Sequence, residues 1–244
     1  MKKQFWYFIF LLFYIGTLPV QGKITLPAIL SDNMVLQQKS QVRFWGKARP
    51  GEKVTVSTSW DKNIYTVQTP TDGYWEVKIK TPGVMDNQTL TVKGENTITI
   101  HNILIGEVWL CTGQSNMEFP VARDPNVKWK TGILNETEEM KDADYPSIRL
   151  FHVEHQLAPE GEKEDCIGRW LVCTPENVKE FSAVGFIFGR KLYKELQMPV
   201  GLIQSTWGGT HAESWTERRV MKDNPLYADV MEEFAPQNVK REKD

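Results

Sequence analysis

The sequence has no excess of basic residues, few cysteines and no long apolar span, and each shortage excludes a class of function. Its 29 Lys and Arg stand against 31 Asp and Glu, with no basic stripe, so nucleic acid is not an expected partner. No apolar run reaches the ~20 residues that a membrane-spanning helix needs. Neither the three cysteines nor the four histidines have the spacing of zinc ligands. We therefore expect no metal and no organic cofactor.

The three cysteines are an odd number, so at least one thiol is unpaired within the chain. Cys111 lies in an apolar stretch, and we expect it in the core. Cys166 and Cys173 are seven positions apart. They either form a disulfide, which would need a turn between them, or remain free.

The first 22 residues have the pattern of a signal peptide. Lys2 and Lys3 precede an apolar stretch at residues 5–18, and small residues lead to a cleavage site after Gly22. The apolar stretch is short for a membrane anchor. We therefore expect a secreted or periplasmic protein with no stable membrane span after cleavage. Loss of the two lysines would change the net charge from −2 to −4.

Residues 23–102 have the pattern of a small β-sandwich domain. Short runs of strand-forming residues recur about every ten positions, with turn residues between them. The runs are residues 42–45, 54–58, 64–67, 75–79, 90–92 and 98–100. Trp45 and Trp75 are expected in the core, although exposed aromatic rings in a sandwich can also stack on sugars.

From residue 103 the pattern changes to α/β. A helix is predicted over residues 182–197, with Ser182 as its N-cap, between strands at residues 147–153 and 198–205. A helix between two strands implies a crossover, and hence a three-layer α/β/α domain with a parallel sheet. A shorter helix is predicted near residues 134–140.

Residues 106–118, GEVWLCTGQSNME, indicate a nucleophile at the end of a strand. An apolar strand meets a turn in which Gly113 permits a sharp bend, so that the hydroxyl of Ser115 faces a cleft. The backbone N–H of Ser115 would lie at the start of a helix, where unpaired amides bind an oxyanion. We predict Ser115 as the catalytic residue and as one oxyanion donor.

A second motif, STWGGTHAESW at residues 205–215, also follows a predicted strand. Ligands of open α/β sheets bind at such strand ends. Paired glycines let the backbone approach a ligand, so the N–H of Gly209 is the second predicted oxyanion donor. The candidate residues of the substrate cleft are Gln114, Asn116, Thr210, His211 and Glu213.

Both motifs resemble those of the sialate O-acetylesterase family, a branch of the SGNH/GDSL hydrolases, and residues 31–37 resemble that family's N-terminal β domain. The resemblance implies that Ser115 attacks an acetyl ester on a sugar. It implies a secreted carbohydrate esterase that deacetylates sialic acid, with acetylated xylan or another acetylated sugar as the alternative. His211 stands where relatives carry proline, so no catalytic role is transferred to it.

The later motifs of that family do not occur in the sequence. Relatives carry their histidine base on an Asp-x-His motif beyond a Gln-Gly-Glu motif, and this chain contains neither. We therefore expect residues 103–244 to correspond to the N-terminal part of an SGNH-type esterase domain. A catalytically incomplete product that acts only as a carbohydrate-binding module stays an alternative. The sequence leaves the oligomeric state open.

The signal-peptide hypothesis predicts a mature protein that begins at or near Lys23. Intact-mass measurement on exported material checks it. Recovery of the chain in the membrane fraction with residues 1–22 still attached would contradict the prediction.

Overall fold

The computed structural model describes residues 23–158 and 161–233, so the predicted signal peptide lies outside the described residues. The strands are β1 (Val35–Gln37), β2 (Gln41–Lys47), β3 (Lys53–Thr58), β4 (Ile64–Gln68), β5 (Tyr74–Lys80), β6 (Met85–Lys93), β7 (Thr97–Gly113), β8 (Tyr145–His152), β9 (Trp170–Cys173) and β10 (Val200–Thr206). The α-helices are α1 (Ser115–Glu118), α2 (Glu136–Lys141), α3 (Ala183–Leu196), α4 (Arg218–Lys222) and α5 (Ala228–Glu233). Two 3₁₀ helices span Ala212–Trp215 and Pro225–Tyr227.

One large mixed sheet runs through the molecule in the order β4-β3-β6-β7-β10-β8-β9, with β1 also paired to β7. Strand β7 has 17 residues. Its first half pairs antiparallel with β6, and its second half pairs parallel with β10. The predicted domain boundary between residues 102 and 103 therefore falls inside a continuous strand. The division into two domains stays a prediction.

The first half of the molecule has a core shared between two sets of strands. Strands β2 and β5 form a separate antiparallel ladder, and its Phe44 and Trp75 are fully buried in one cluster with Val56 and Leu90 of the large sheet. The prediction that Trp75 lies in the core is confirmed. Trp45 is only partly buried against this cluster.

The second half confirms the predicted crossover. Helix α3 connects β9 to β10, and β10 pairs parallel with both β7 and β8. The hydroxyl of Ser182 accepts a hydrogen bond from the N–H of Gly185 at 3.0 Å, which caps the helix as predicted. Phe186 of α3 packs with Ile148 and Leu202 in a second buried cluster.

The sheet is not parallel throughout, and in this respect the prediction was wrong. In the half for which the parallel sheet is predicted, β7, β10 and β8 are parallel, but β9 pairs antiparallel with β8. Strand β9 returns beside β8 with no crossover helix among the described residues between them, so the chain reverses direction. The predicted helix near residues 134–140 is α2, shifted by one or two residues.

The cysteines are all free. Cys111 and Cys173 are buried, and Cys166 is partly exposed, so the disulfide alternative for Cys166 and Cys173 was wrong. Burial raises the pKa of Cys173 to about 12. That thiol is therefore protonated and unreactive at neutral pH. In the part of the chain that the structure describes, no helix combines the length and apolarity needed to cross a membrane.

Gly106 lies where the two halves of β7 meet, and the structure leaves no space for a side chain there. A Cβ at this position would lie 2.1 Å from the carbonyl oxygen of Pro199. That oxygen also accepts a hydrogen bond from the N–H of Glu107 at 2.9 Å. The contact atom is backbone, so it cannot move without displacing the start of β10.

We expect Gly106→Ala to lower the free energy of unfolding by about 1–3 kcal/mol, because overpacking forces the backbone to shift. Chemical denaturation of the purified variant measures this. Gly83→Ala is the control: its Cβ would meet only the Cε atom of Lys39, at 3.8 Å. Equal stabilities for the two variants would contradict the close approach of Gly106 to Pro199.

Candidate active site

Two neighbouring parallel strands bring the two sequence motifs together. Strands β7 and β10 pair in register up to Gly113 and Thr206, and the N–H of Trp207 donates to the carbonyl oxygen of Gly113 at 3.0 Å. Gly113 has φ +143°, and helix α1 begins at Ser115 two residues later. The sharp turn predicted before Ser115 is therefore present at the carboxyl end of the sheet.

Ser115 faces a cleft of about 400 Å³. The lining residues come from both motifs and from two other segments: Ser115, Glu118, Trp129, His155, Trp207, Gly208 and Gly209. A Cβ on Gly208 would lie 3.2 Å from the hydroxyl oxygen of Ser115, so the backbone of the second motif lies directly against this side chain. Gly209 has φ +79°, a conformation that favours glycine.

Glu118 is a residue of this cleft that the sequence analysis missed. It is buried, with 8% of its surface exposed, and it lies one helical turn after Ser115. One carboxylate oxygen accepts a hydrogen bond from the N–H of Gly208, and the other lies 3.3 Å from Nε2 of His155. A buried carboxylate is retained only where such donors compensate its lost hydration. Glu118 thus connects the helix of the first motif to the glycine turn of the second.

His155 forms the opposite wall. Its ring stacks on Trp207 with centroids 4.3 Å apart and planes 3° apart. Its Nε2 lies 2.7 Å from the carbonyl oxygen of Thr206. A carbonyl only accepts, so Nε2 carries the proton, and in the neutral ring Nδ1 is the remaining acceptor. His155 thus packs against Trp207 and also lines the cleft.

His152 lies nearby but is partly buried. Burial is the main cause that lowers the pKa of His152, and the neighbouring Lys130 adds to it. The ring is therefore neutral at pH 7. It does not line the cleft that contains Ser115.

The other candidate cleft residues are distributed more widely. Thr210 lines an adjoining cleft and donates its hydroxyl proton to the carbonyl oxygen of Trp207 at 2.7 Å. Gln114, Asn116 and His211 are exposed, and Glu213 is partly buried. These four do not line the cleft around Ser115, and their roles stay predictions. The described residues contain no cluster of His, Cys, Asp and Glu that could hold a metal ion.

The sequence held a signal for Glu118 but none for His155. Residues three apart on a helix share a face, so Ser115 at the start of α1 places Glu118 on the same side. His155 and Trp129 reach the cleft from connecting segments after β8 and before α2. Loops carry no periodicity from which a position could be predicted.

Comparison with known proteins identifies a family that shares both motifs' region of the chain. Residues 105–242 match the family model "carbohydrate esterase, sialic acid-specific acetylesterase". The human and Sumatran orangutan (Pongo abelii) sialate O-acetylesterases are each 37% identical over 79% of this chain. The alignment covers 39% of each relative, so the chain spans about two fifths of the length of the curated relatives it matches.

A solved structure shares the fold. The crystal structure of a carbohydrate acetylesterase from Xanthomonas citri superposes with a TM-score of 0.74 at 30% sequence identity. The match covers 83% of this chain and 44% of that protein.

We expect Glu118→Ala to loosen the glycine turn, because the N–H of Gly208 loses its acceptor. Loss of a buried partner typically costs about 1–3 kcal/mol. Amide hydrogen exchange at Gly208, followed by NMR, should accelerate at least tenfold. Glu118→Gln keeps an acceptor oxygen and should exchange at an intermediate rate. The control is Glu138→Ala, at an exposed position on α2. An unchanged exchange rate of the Gly208 amide in Glu118→Ala would contradict the role of the Glu118 carboxylate in holding the glycine turn.

Proposed function

Because the chain belongs to the sialic acid-specific acetylesterase family of carbohydrate esterases, we propose that it is part of an exported esterase that removes O-acetyl groups from sialic acid. The observation that carries this proposal is the contact between Ser115 and the glycine turn of the second motif. A nucleophile and candidate oxyanion donors are the two parts of an acyl-transfer site that must be adjacent. Acetylated xylan or another acetylated sugar is the alternative substrate.

The proposed chemistry begins with attack by the Ser115 hydroxyl oxygen on the acetyl carbonyl carbon. A base takes the serine proton, and the carbonyl oxygen becomes an oxyanion that the N–H groups of Ser115 and Gly209 stabilise. The bond between the acetyl carbon and the sugar oxygen then breaks, and the sugar oxygen receives the proton. In the second stage the base takes a proton from water, and the water oxygen attacks the acetyl carbon of the acetyl-serine. The bond between that carbon and the serine oxygen breaks, the serine oxygen receives the proton, and acetate leaves.

Glu118 acts in this scheme through the backbone. Its carboxylate holds Gly208, and thereby sets the position of the following amide, which is that of Gly209. Preorganised donors are effective because they need no rearrangement as charge develops. The N–H of Gly208 itself is occupied by Glu118, which supports Gly209 as the donor to the oxyanion.

The general base is proposed to lie on the Asp-x-His motif implied by the resemblance. The Nε2 atom of His155 is committed to the carbonyl oxygen of Thr206, so only its Nδ1 could accept the serine proton. His211 is exposed and does not line the cleft around Ser115. A serine hydroxyl without an adjacent base is a weak nucleophile.

The division of the chain into a β-sandwich domain and an esterase domain is part of the same proposal. A small β-sandwich at residues 23–102 is supported by the core shared between the β2–β5 ladder and the large sheet. A three-layer esterase domain from residue 103 is supported by the packing of α3 on β8 and β10.

We expect the 244-residue chain to hydrolyse 4-nitrophenyl acetate barely above the buffer rate. A protein of the same sequence continued by a segment with the Asp-x-His motif should release acetate from O-acetylated sialic acid. In that longer protein Ser115→Ala should reduce turnover by several orders of magnitude, as loss of a catalytic triad member typically does.

Parallel assays of His155→Ala and His211→Ala in the 244-residue chain serve as controls for the base. Strong turnover that disappears with either substitution would show that the base lies within this chain. Retention of turnover by Ser115→Ala in the longer protein would remove this serine from the mechanism.

A further inference from the structure

A second cleft adjoins the one that contains Ser115. It has a volume of about 460 Å³, and it shares His155 and Trp207 with the first cleft. The stacked pair of rings therefore forms a wall between the two. One side of the second cleft comes from the N-terminal part of the chain, through Pro27 and Trp45, and the other from the segment after β10, through Thr210 and Trp215.

Three indole rings line this cleft: Trp45, Trp207 and Trp215. Each is already held in place. Trp45 packs against the buried cluster of the N-terminal half, and Trp207 stacks on His155. The indole N–H of Trp215 donates to the hydroxyl of Thr210 at 2.8 Å, while 41% of the side chain stays exposed. Rigid and partly exposed aromatic rings offer flat apolar surfaces at little entropic cost to a ligand that binds them.

The charged groups of the cleft are mainly acidic. Glu154, Glu164 and Asp165 line it against one lysine, Lys163, and Glu164 is also paired with Lys47 outside the lining. Asp165 is oriented by the backbone N–H groups of Ala28 at 3.0 Å and of Cys166 at 2.8 Å. Carboxylates accept hydrogen bonds from hydroxyl groups, whereas they repel a ligand that itself carries a carboxylate. This combination suits a neutral polyhydroxylated ring with an apolar face.

We propose that the second cleft is a subsite for a neutral pyranose ring of the glycan that bears the acetylated sugar. The inference rests on the proposed function only for the identity of the neighbouring ring; saccharide binding to the cleft is independent of esterolysis. The two clefts meet at the Trp207–His155 pair, so a sugar linked to an acetylated residue beside Ser115 would extend past that pair. The substrate is then a linked glycan rather than a free monosaccharide.

The test measures binding of unacetylated saccharides to the 244-residue chain by ligand-observed NMR and by calorimetry. The probes are lactose, which presents the neutral ring of a sialylated glycan, and xylotriose, which presents that of xylan. The anionic comparison is trigalacturonate. We expect saturable binding of at least one neutral probe, and the preferred probe indicates which glycan the subsite fits.

Two tryptophans make a matched pair of variants. Trp215 and Trp109 are 41% and 42% exposed, but Trp109 packs edge-on against Phe188 of α3 and does not line the cleft. We expect Trp215→Ala to weaken binding of the neutral probe about tenfold, the equivalent of roughly 1.4 kcal/mol, and Trp109→Ala to leave it unchanged. Circular dichroism and melting temperature confirm that both variants are folded.

A charge variant tests the selection against anions. Glu154→Lys should allow trigalacturonate to bind, because it replaces a carboxylate that repels the anionic probe with an ammonium group that attracts it. The proposal is overturned if neither neutral probe saturates, if Trp215→Ala binds as tightly as the original chain, or if trigalacturonate binds the original chain as well as the neutral probes do. None of these results depends on ester hydrolysis, so a failed subsite is distinguishable from a failed esterase assignment.

Discussion

Strand β7 is the constraint on which the rest of the structure depends. Its 17 residues extend from the β-rich first half, where they pair with β6, to the turn that presents Ser115. Gly106 marks the change of partner, because β10 begins beside it with Pro199 too close for any side chain. A continuous hydrogen-bonded strand is stiff, so the position of Ser115 is tied to the packing of residues far earlier in the chain. The geometry of the candidate site therefore depends on the packing of the first half of the molecule.

The buried guanidinium of Arg149 also connects the first half of the molecule to the second half. Arg149 of β8 donates to the backbone oxygen of Pro146 and to the side-chain oxygens of Asn33 and Asn102, at 3.0, 3.0 and 3.3 Å. Burial lowers the pKa of this guanidinium, but the pKa of an arginine is high enough for it to remain charged. Both asparagines have positive φ angles, which asparagine tolerates better than most residues. The N-terminal segment is thereby tied to the sheet that carries the candidate site.

Local patterns of the sequence predicted the local features of this fold. The N-cap at Ser182, the helix that follows it and the turn before Ser115 each depend on a few adjacent residues, and each is present. What the patterns missed depends on contacts between distant residues. The run at residues 98–100 and the apolar strand that leads to Ser115 are predicted in different domains, with the polar pair His101 and Asn102 between them. In the structure that pair lies within β7, where Asn102 serves the arginine network. Glu118 and His155 likewise acquire their roles only when the two strand ends meet.

The groups of the candidate site differ in how the fold positions them. Ser115, Glu118 and the glycine turn all belong to the ends of two strands that pair directly, so the proposed nucleophile and the proposed oxyanion donors are positioned by the fold itself. The base, proposed to lie on a motif that this sequence does not contain, is not part of these two strand ends. The proposed saccharide subsite is also positioned by the fold, since Trp45 reaches the second cleft from a strand that contributes to the N-terminal core. The β-rich first half thus supplies both the support of β7 and one wall of the second cleft, and a continuous strand rather than a flexible linker keeps these two parts in a fixed relation.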